Sequence, residues 1–179
     1  MDEWTRLAVE ARAGTESARA AFVCATHADV WRLCAHLGDV EAADDLSQES
    51  YLQVFRALPG YRAEAPVRSW LFSIVRRVVA DDIHRRQRQR RHREQPVVGH
   101  TGDHANGVAL ELLLGHLDDD RRTAFVLTQL WGFSYDAAAA ICECPVGTIR
   151  SRVARARQDL VSMLENAGPD IADLRSESA

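Results

Sequence analysis

Apolar residues along this chain recur at three- and four-residue spacing and show no sustained period-two alternation, so the pattern predicts helices and no strands. A short helix is expected from Glu3 to Arg12, ending near Gly14. A second runs from Glu16 to Leu37, with Phe22, Val23, Val30, Leu33 and Leu37 as core candidates. Gly38 ends it and Asp39 starts a third, which carries Leu46, Leu52, Val54, Phe55 and Leu58 and stops at Pro59-Gly60. The loop GYRAEAP leads to a long helix starting near Pro66. There Val67, Trp70, Leu71, Ile74, Val75, Val78 and Ile83 share a buried face, and Arg68, Ser69, Ser73, Arg76, Arg77 and Asp81 share the other. Trp70 is read as core, beside Ile74.

The pattern breaks after His84. HRRQRQRRHR holds six Arg in ten residues, and EQPVVGHTGDHANG has breakers but no period. Helical spacing resumes near Gly107 and is clearest over 117–164. Gly132 suits a helix end needing positive φ, Ser134 an N-cap, 135–141 a short Ala-rich helix and Pro145 the first turn of the next. On that last helix Val146, Ile149, Val153, Leu160 and Leu164 fall on one side. Arg150, Ser151, Arg155 and Gln158 lie on another, flanked by Arg152 and Arg157. This is the outline of a helix-turn-helix with a recognition helix for duplex DNA. The expected fold is all-α: two small helical domains joined by a flexible linker, the C-terminal one a helix-turn-helix. The expected boundaries are 1–86, a linker at 87–106, 107–165, and a mobile tail at 166–179.

Bulk composition adds limits. The 179 residues are 46% apolar, enough for buried cores. No apolar run of about 18 residues is present and MDEWTRLAVEAR does not read as a signal peptide, so a cytoplasmic chain is expected. Net charge is −4, so any nucleic-acid contact must come from local clusters; all 22 basic residues are Arg. Cys24, His27, Cys34 and His36 raise the question of zinc, but Cys34 lies nearly three helical turns from Cys24. Reduced core or surface thiols are the expectation, also for Cys142 and Cys144, and neither a metal nor another cofactor is expected. Glycine-rich phosphate loops and nucleophile or metalloprotease arrangements are absent from the sequence, so catalytic residues are not expected.

Two blocks resemble one family, the extracytoplasmic-function (ECF) sigma factors of the sigma-70 family. GFSYDAAAAICECPVGTIRSRVARAR is similar to its promoter-upstream reader, matching at Gly132, Ser134, Tyr135, Pro145, Gly147, Thr148, Ile149, Ser151, Arg152, Arg155, Ala156 and Arg157. Ala137-Ala138 stands where the family usually has Glu-Ile. The first block matches a D-x-x-Q-E signature at Asp44, Asp45, Leu46, Gln48 and Glu49 and a W-L-x-x-I signature at Trp70, Leu71 and Ile74.

The resemblance makes the first domain sigma region 2, for core-polymerase binding and −10 recognition and melting, and the second sigma region 4, for −35 recognition. It implies docking of Asp45, Gln48 and Glu49 on the polymerase β′ coiled coil, with the β flap also a partner. The 60–66 loop would capture a flipped −10 base, with Tyr61 either stacking on that base or closing over the helix junction. Arg68, Arg76 and Arg77 would face the separated strand; many members have Asn where Arg77 stands. Arg150, Ser151, Ala154 and Arg155 would read the −35 element. Arg152 and Arg157 would hold phosphates or the domain's own carboxylates. The family's partners also include anti-sigma factors. The competing reading is a helix-turn-helix regulator independent of polymerase, which leaves the first block without a role.

Overall fold

The computed structural model describes residues 2–93 and 107–166, and every regular element among them is helical. They form two compact units, one over 2–93 and one from 107 onward, with 140–143 grouped with the first. None of the described helices is long and apolar enough to cross a membrane.

In the first unit, α1 (Glu3–Arg12) and α2 (Glu16–Leu37) begin at the expected residues because Asp2 and Thr15 cap them: their side-chain oxygens accept from Thr5 N and Ala18 N. Asp39 starts a 3-10 turn, Val40–Ala42, rather than the third helix itself. The regular helix α3 spans Ala43–Ala57 and tightens again over Leu58–Gly60. The fourth, α4, runs Val67–Arg93, so the first part of the expected linker is helix; residues 94–106 and the tail beyond Asn166 lie outside the described residues.

These helices bury Phe22, Val30 and Leu33 from α2, Val54 from α3, and Val67, Leu71, Phe72 and Val75 from α4. Each contributes about 1.5–3 kcal/mol relative to an exposed position. Gly38 lets the end of α2 meet its neighbours: a Cβ there would sit 3.0 Å from the Cys34 carbonyl, 3.1 Å from Leu46 and 3.3 Å from Val79.

Six core expectations shift, among them Val23 and Phe55, which are only half-buried. Leu52 is 53% exposed, on the side of α3 opposite the core. Trp70 is half-buried, its ring tilted 34° against Tyr61 at 4.9 Å between ring centroids. Beyond Val75, α4 buries Val79 and Asp82, while Val78 and Ile83 are only half-buried. Asp82 tolerates burial because Arg85 and Arg86 both pair with it, Arg86 at 2.7 Å.

The second unit contains α5 (Gly107–Gly115) and α6 (Asp119–Phe125), which runs on through a π turn, Val126–Leu130, closed by Trp131 N donating to the Val126 carbonyl at 3.0 Å. Then come α7 (Tyr135–Cys142) and α8 (Val146–Asn166). Leu114, Leu127, Ile149, Val153 and Ala156 are buried, and α6 packs along α8. Of the expected apolar positions on α8, Leu164 is 47% exposed. Cys34 and Cys142 are buried thiols, and burial pushes the Cys34 thiol up to about 12. Among the described residues no three His, Cys, Asp or Glu side chains are grouped to hold a metal.

Candidate nucleic-acid interface and acidic helix face

On α3, buried residues alternate with charged ones at helical spacing, and polar contacts fix which side faces out. Ser50 Oγ donates to the Leu46 carbonyl at 2.7 Å. The Thr26 hydroxyl donates to the Phe22 carbonyl at 2.8 Å, which leaves its oxygen to accept from Tyr51 Oη at 2.7 Å. Burial pushes the Tyr51 phenol up to about 12, so it remains a neutral donor. Asp45, Gln48, Glu49 and Leu52 are thereby turned outward, all exposed. Gln53 Nε2 donates to Glu49 Oε1 at 2.7 Å, and Trp31 Nε1 to Asp44 Oδ1 at 2.8 Å. Asp45 and Glu49 also line a groove of about 690 Å³ between α3 and α4, opposite Arg77, Arg85 and Arg88; Gln48 lies outside it.

The 60–66 loop is folded on itself. Tyr61 is 5% exposed, its ring on Trp70 and its hydroxyl donating to the Ala65 carbonyl at 2.7 Å. In this structure the Tyr61 ring closes over the helix junction. Residues 62–66 are exposed. On α4, Arg68 is half-buried with its guanidinium 5.5 Å from the Phe72 ring centre. Arg76 is half-buried and Arg77 exposed, two turns farther along.

In the helix-turn-helix, Gly132 has φ 67°, and Ser134 Oγ accepts from Ala137 N at 3.1 Å, as their residue types predict. The turn places Glu143 at φ 54°, and Cys144 N donates to the Ala139 carbonyl at 3.1 Å. Ile149, Val153 and Ala156 hold α8 inward, which exposes Arg150, Ser151, Ala154 and Arg155 as one stripe. Ser151 Oγ donates to the Thr148 carbonyl at 2.9 Å. Neither Arg150 nor Arg155 has a hydrogen bond or ion pair with any described residue, so both guanidinium groups are available. Arg152 instead pairs with Asp120, and Arg157 donates to Gln129 Oε1 at 2.6 Å. Those two tie α8 to α6 and to the π turn.

The site residues therefore lie on α3, on the 60–66 loop with α4, and on α8, and Arg77 of α4 shares a groove with Asp45 and Glu49 of α3. Sequence spacing did not single out Leu52 as a surface residue, the buried Arg122, or two α1 side chains, Thr5 and Arg12, that bond to either end of the 60–66 loop. The latter contacts join residues 49 and 62 positions apart, for which no local pattern exists.

Two family models match the chain, Sigma-70 region 2 over residues 23–91 and Sigma-70, region 4 over 107–160. The chain is 48% identical over 173 residues to the probable RNA polymerase sigma-C factor of Mycobacterium bovis, a match spanning 93% of this chain and 92% of that one. It is 36% identical over 147 residues to the ECF RNA polymerase sigma factor EcfG of Rhodopseudomonas palustris, spanning 74% and 80%. Among solved structures it resembles the sigma factor RpoE in complex with the anti-sigma factor NepR from Bartonella quintana (TM-score 0.73, 27% identity, 80% of this chain and 94% of that one). It also resembles CnrH in complex with the cytosolic domain of CnrY (TM-score 0.70, 26% identity, 92% and 99%). Matches to both regions in one chain, carried by relatives over almost its full length, place this protein in the ECF subfamily of sigma-70 RNA polymerase sigma factors.

Proposed function

We propose that this chain binds core RNA polymerase in the cytoplasm and directs promoter-specific transcription initiation. Its face on α3 docks on polymerase, α8 reads the −35 element, and the 60–66 loop with the first turns of α4 takes up the −10 element. The observation that carries this reading is the pairing of two sigma regions in one chain, since a polymerase-independent regulator would have no use for the first. The work is recognition, not catalysis, and no residue is given a catalytic role.

On α3, Asp45, Gln48 and Glu49 supply acidic and amide groups for a basic partner helix. Leu52, one turn beyond Gln48, supplies an apolar centre that becomes dry on binding, the arrangement found at energetic centres of interfaces. On α8, Arg150 and Arg155 make base-edge or phosphate contacts, with Ser151 and Ala154 between them. At the −10 end, Tyr61 forms the floor beneath the exposed 62–65 tip, and Arg68, Arg76 and Arg77 approach the separated strand. RpoE was solved with the anti-sigma factor NepR, and we count an anti-sigma factor among the partners of this chain.

Titrating labelled full-length protein with core polymerase tests the docking face. Glu49→Arg is expected to weaken binding at least about tenfold, ~1.4 kcal/mol, by setting like charges against each other. Leu52→Ser is expected to weaken it about threefold or more through lost apolar burial. Wild-type affinity in both variants would remove α3 as the docking face.

A further inference from the structure

We propose that α1 is the positioning element for base capture: Thr5 and Arg12 hold the 60–66 loop in one pose, and through it they set which base the −10 end accepts. The inference rests on the reading of that loop as the −10 contact.

The loop is fixed at both ends from the same helix. At its entry, Arg12 Nη1 donates to the Tyr61 carbonyl at 2.9 Å. At its exit, Thr5 Oγ1 accepts from Val67 N, the first amide of α4, at 3.1 Å, and donates to Asp2 Oδ2 at 2.6 Å. Those contacts with Thr5 hold the Asp2 carboxyl below its ordinary range. Between the two ends, the Tyr61 hydroxyl spans the loop to the Ala65 carbonyl. At the tip, Ala63 sits at φ 57°, a left-handed conformation that costs a non-glycine residue roughly 1–2 kcal/mol and persists only where neighbours impose it.

The two contacts to the loop are not what makes α1 a helix. Leu7, Ala8 and Ala11 already bury its apolar side, and Arg12 is itself exposed. What the two tethers restrain is a segment whose residues 62–66 are exposed and bury little of their own surface. A free segment of that kind loses about 1–2 kcal/mol of backbone entropy per residue on ordering. A loop that discriminates one base must already be held within about 0.5 Å of its working pose. The Sigma-70 region 2 match begins at residue 23, so α1 lies outside it.

The test uses holoenzyme assembled from core polymerase and the full chain, selecting single-stranded DNA from a pool randomised over the −10 segment. Wild type is expected to enrich one base at one position at least tenfold. Arg12→Ala is expected to reduce that enrichment about fivefold, while core-polymerase affinity and the thermal midpoint remain at wild-type values. Thr5→Val should also reduce enrichment, together with a lower thermal midpoint from the lost bonds to Val67 N and Asp2, and Thr5→Ser should restore both. Faster hydrogen exchange confined to the 60–66 amides in Arg12→Ala would support the mechanism. Wild-type enrichment retained by Arg12→Ala overturns the proposal while leaving the loop reading intact. So does a loss of enrichment in Arg12→Ala that merely tracks a fall in thermal midpoint or core affinity. No base preference in wild type overturns the loop reading, and the proposal with it.

Discussion

Replacing Arg150 and Arg155 together with alanine is expected to lower specific promoter affinity of the holoenzyme by about 2–6 kcal/mol, from the roughly 1–3 kcal/mol attached to each guanidinium that reads a base edge. The two are singled out by what they lack. Four Arg project from the first three turns of α8, but Arg152 is committed to Asp120 and Arg157 to Gln129. Arg150 and Arg155 bond to no described residue and stand on either side of Ser151 and Ala154. The measurement is duplex promoter binding over a range of salt concentrations. A side chain on a base edge, when removed, relaxes base preference at one position. One on a phosphate lowers affinity for all sequences and reduces the salt slope by about one. Either signature is consistent with contact, whereas unchanged affinity and unchanged preference in the double variant would take −35 reading away from this stripe. Arg152→Ala should act differently, lowering the stability of the unit rather than altering promoter choice.

The second large effect concerns stability. Arg122 is only 8% exposed, and its Nη2 donates to the Gly115 carbonyl at 3.0 Å and the Leu117 carbonyl at 3.4 Å. One guanidinium thus satisfies two backbone acceptors where α5 gives way to α6, acceptors that a helix end leaves without partners. Hydrogen bonds to a charged group contribute about 1.5–3 kcal/mol each, the weaker of these two less, so Arg122→Ala is expected to cost the second unit about 3 kcal/mol. Arg122→Lys should recover only part of this, because an ammonium cannot reproduce the planar fork. Hydrogen exchange of the α5–α8 amides during denaturant titration would measure the loss. A change below about 1 kcal/mol would show that the two carbonyls find other partners.

Much of this architecture was legible because its punctuation is local. Gly14 and Gly38 mark the C-terminal ends of α1 and α2, and the structure ends both helices there. Gly132 and Ser134 mark the approach to α7 in the same way. The outward Arg stripe of α8 follows from the spacing of Ile149, Val153 and Ala156. Misreadings arose where hydropathy gives an ambiguous phase or cannot detect pairing. Val78 and Val79 are adjacent, and only contact with the end of α2 decides that Val79 is buried. Asp82 looks like a surface residue until Arg85 and Arg86 neutralise it. Leu52 looks like core because it is a leucine, although its neighbours Gln48 and Glu49 place it on the open face.

The candidate site divides along the same line. The α8 Arg stripe is readable from helical spacing, and the α3 residues are named by the family resemblance, which leaves Leu52 out. The 60–66 loop is not readable from spacing, because its shape comes from Thr5, Arg12 and Trp70, all remote in the chain or on another element. The resemblance leaves two roles open for Tyr61, and the structure places its ring over the helix junction.

The central claim is that this protein acts through polymerase and not by itself. Run-off transcription with core RNA polymerase, this protein and a promoter selected by their combination measures that directly. The account predicts a transcript of defined start only when both proteins are present, lost when either the −35 or the −10 element is scrambled. High-affinity specific binding of duplex DNA by the protein alone, with no promoter-directed transcript from core polymerase in its presence, would contradict it.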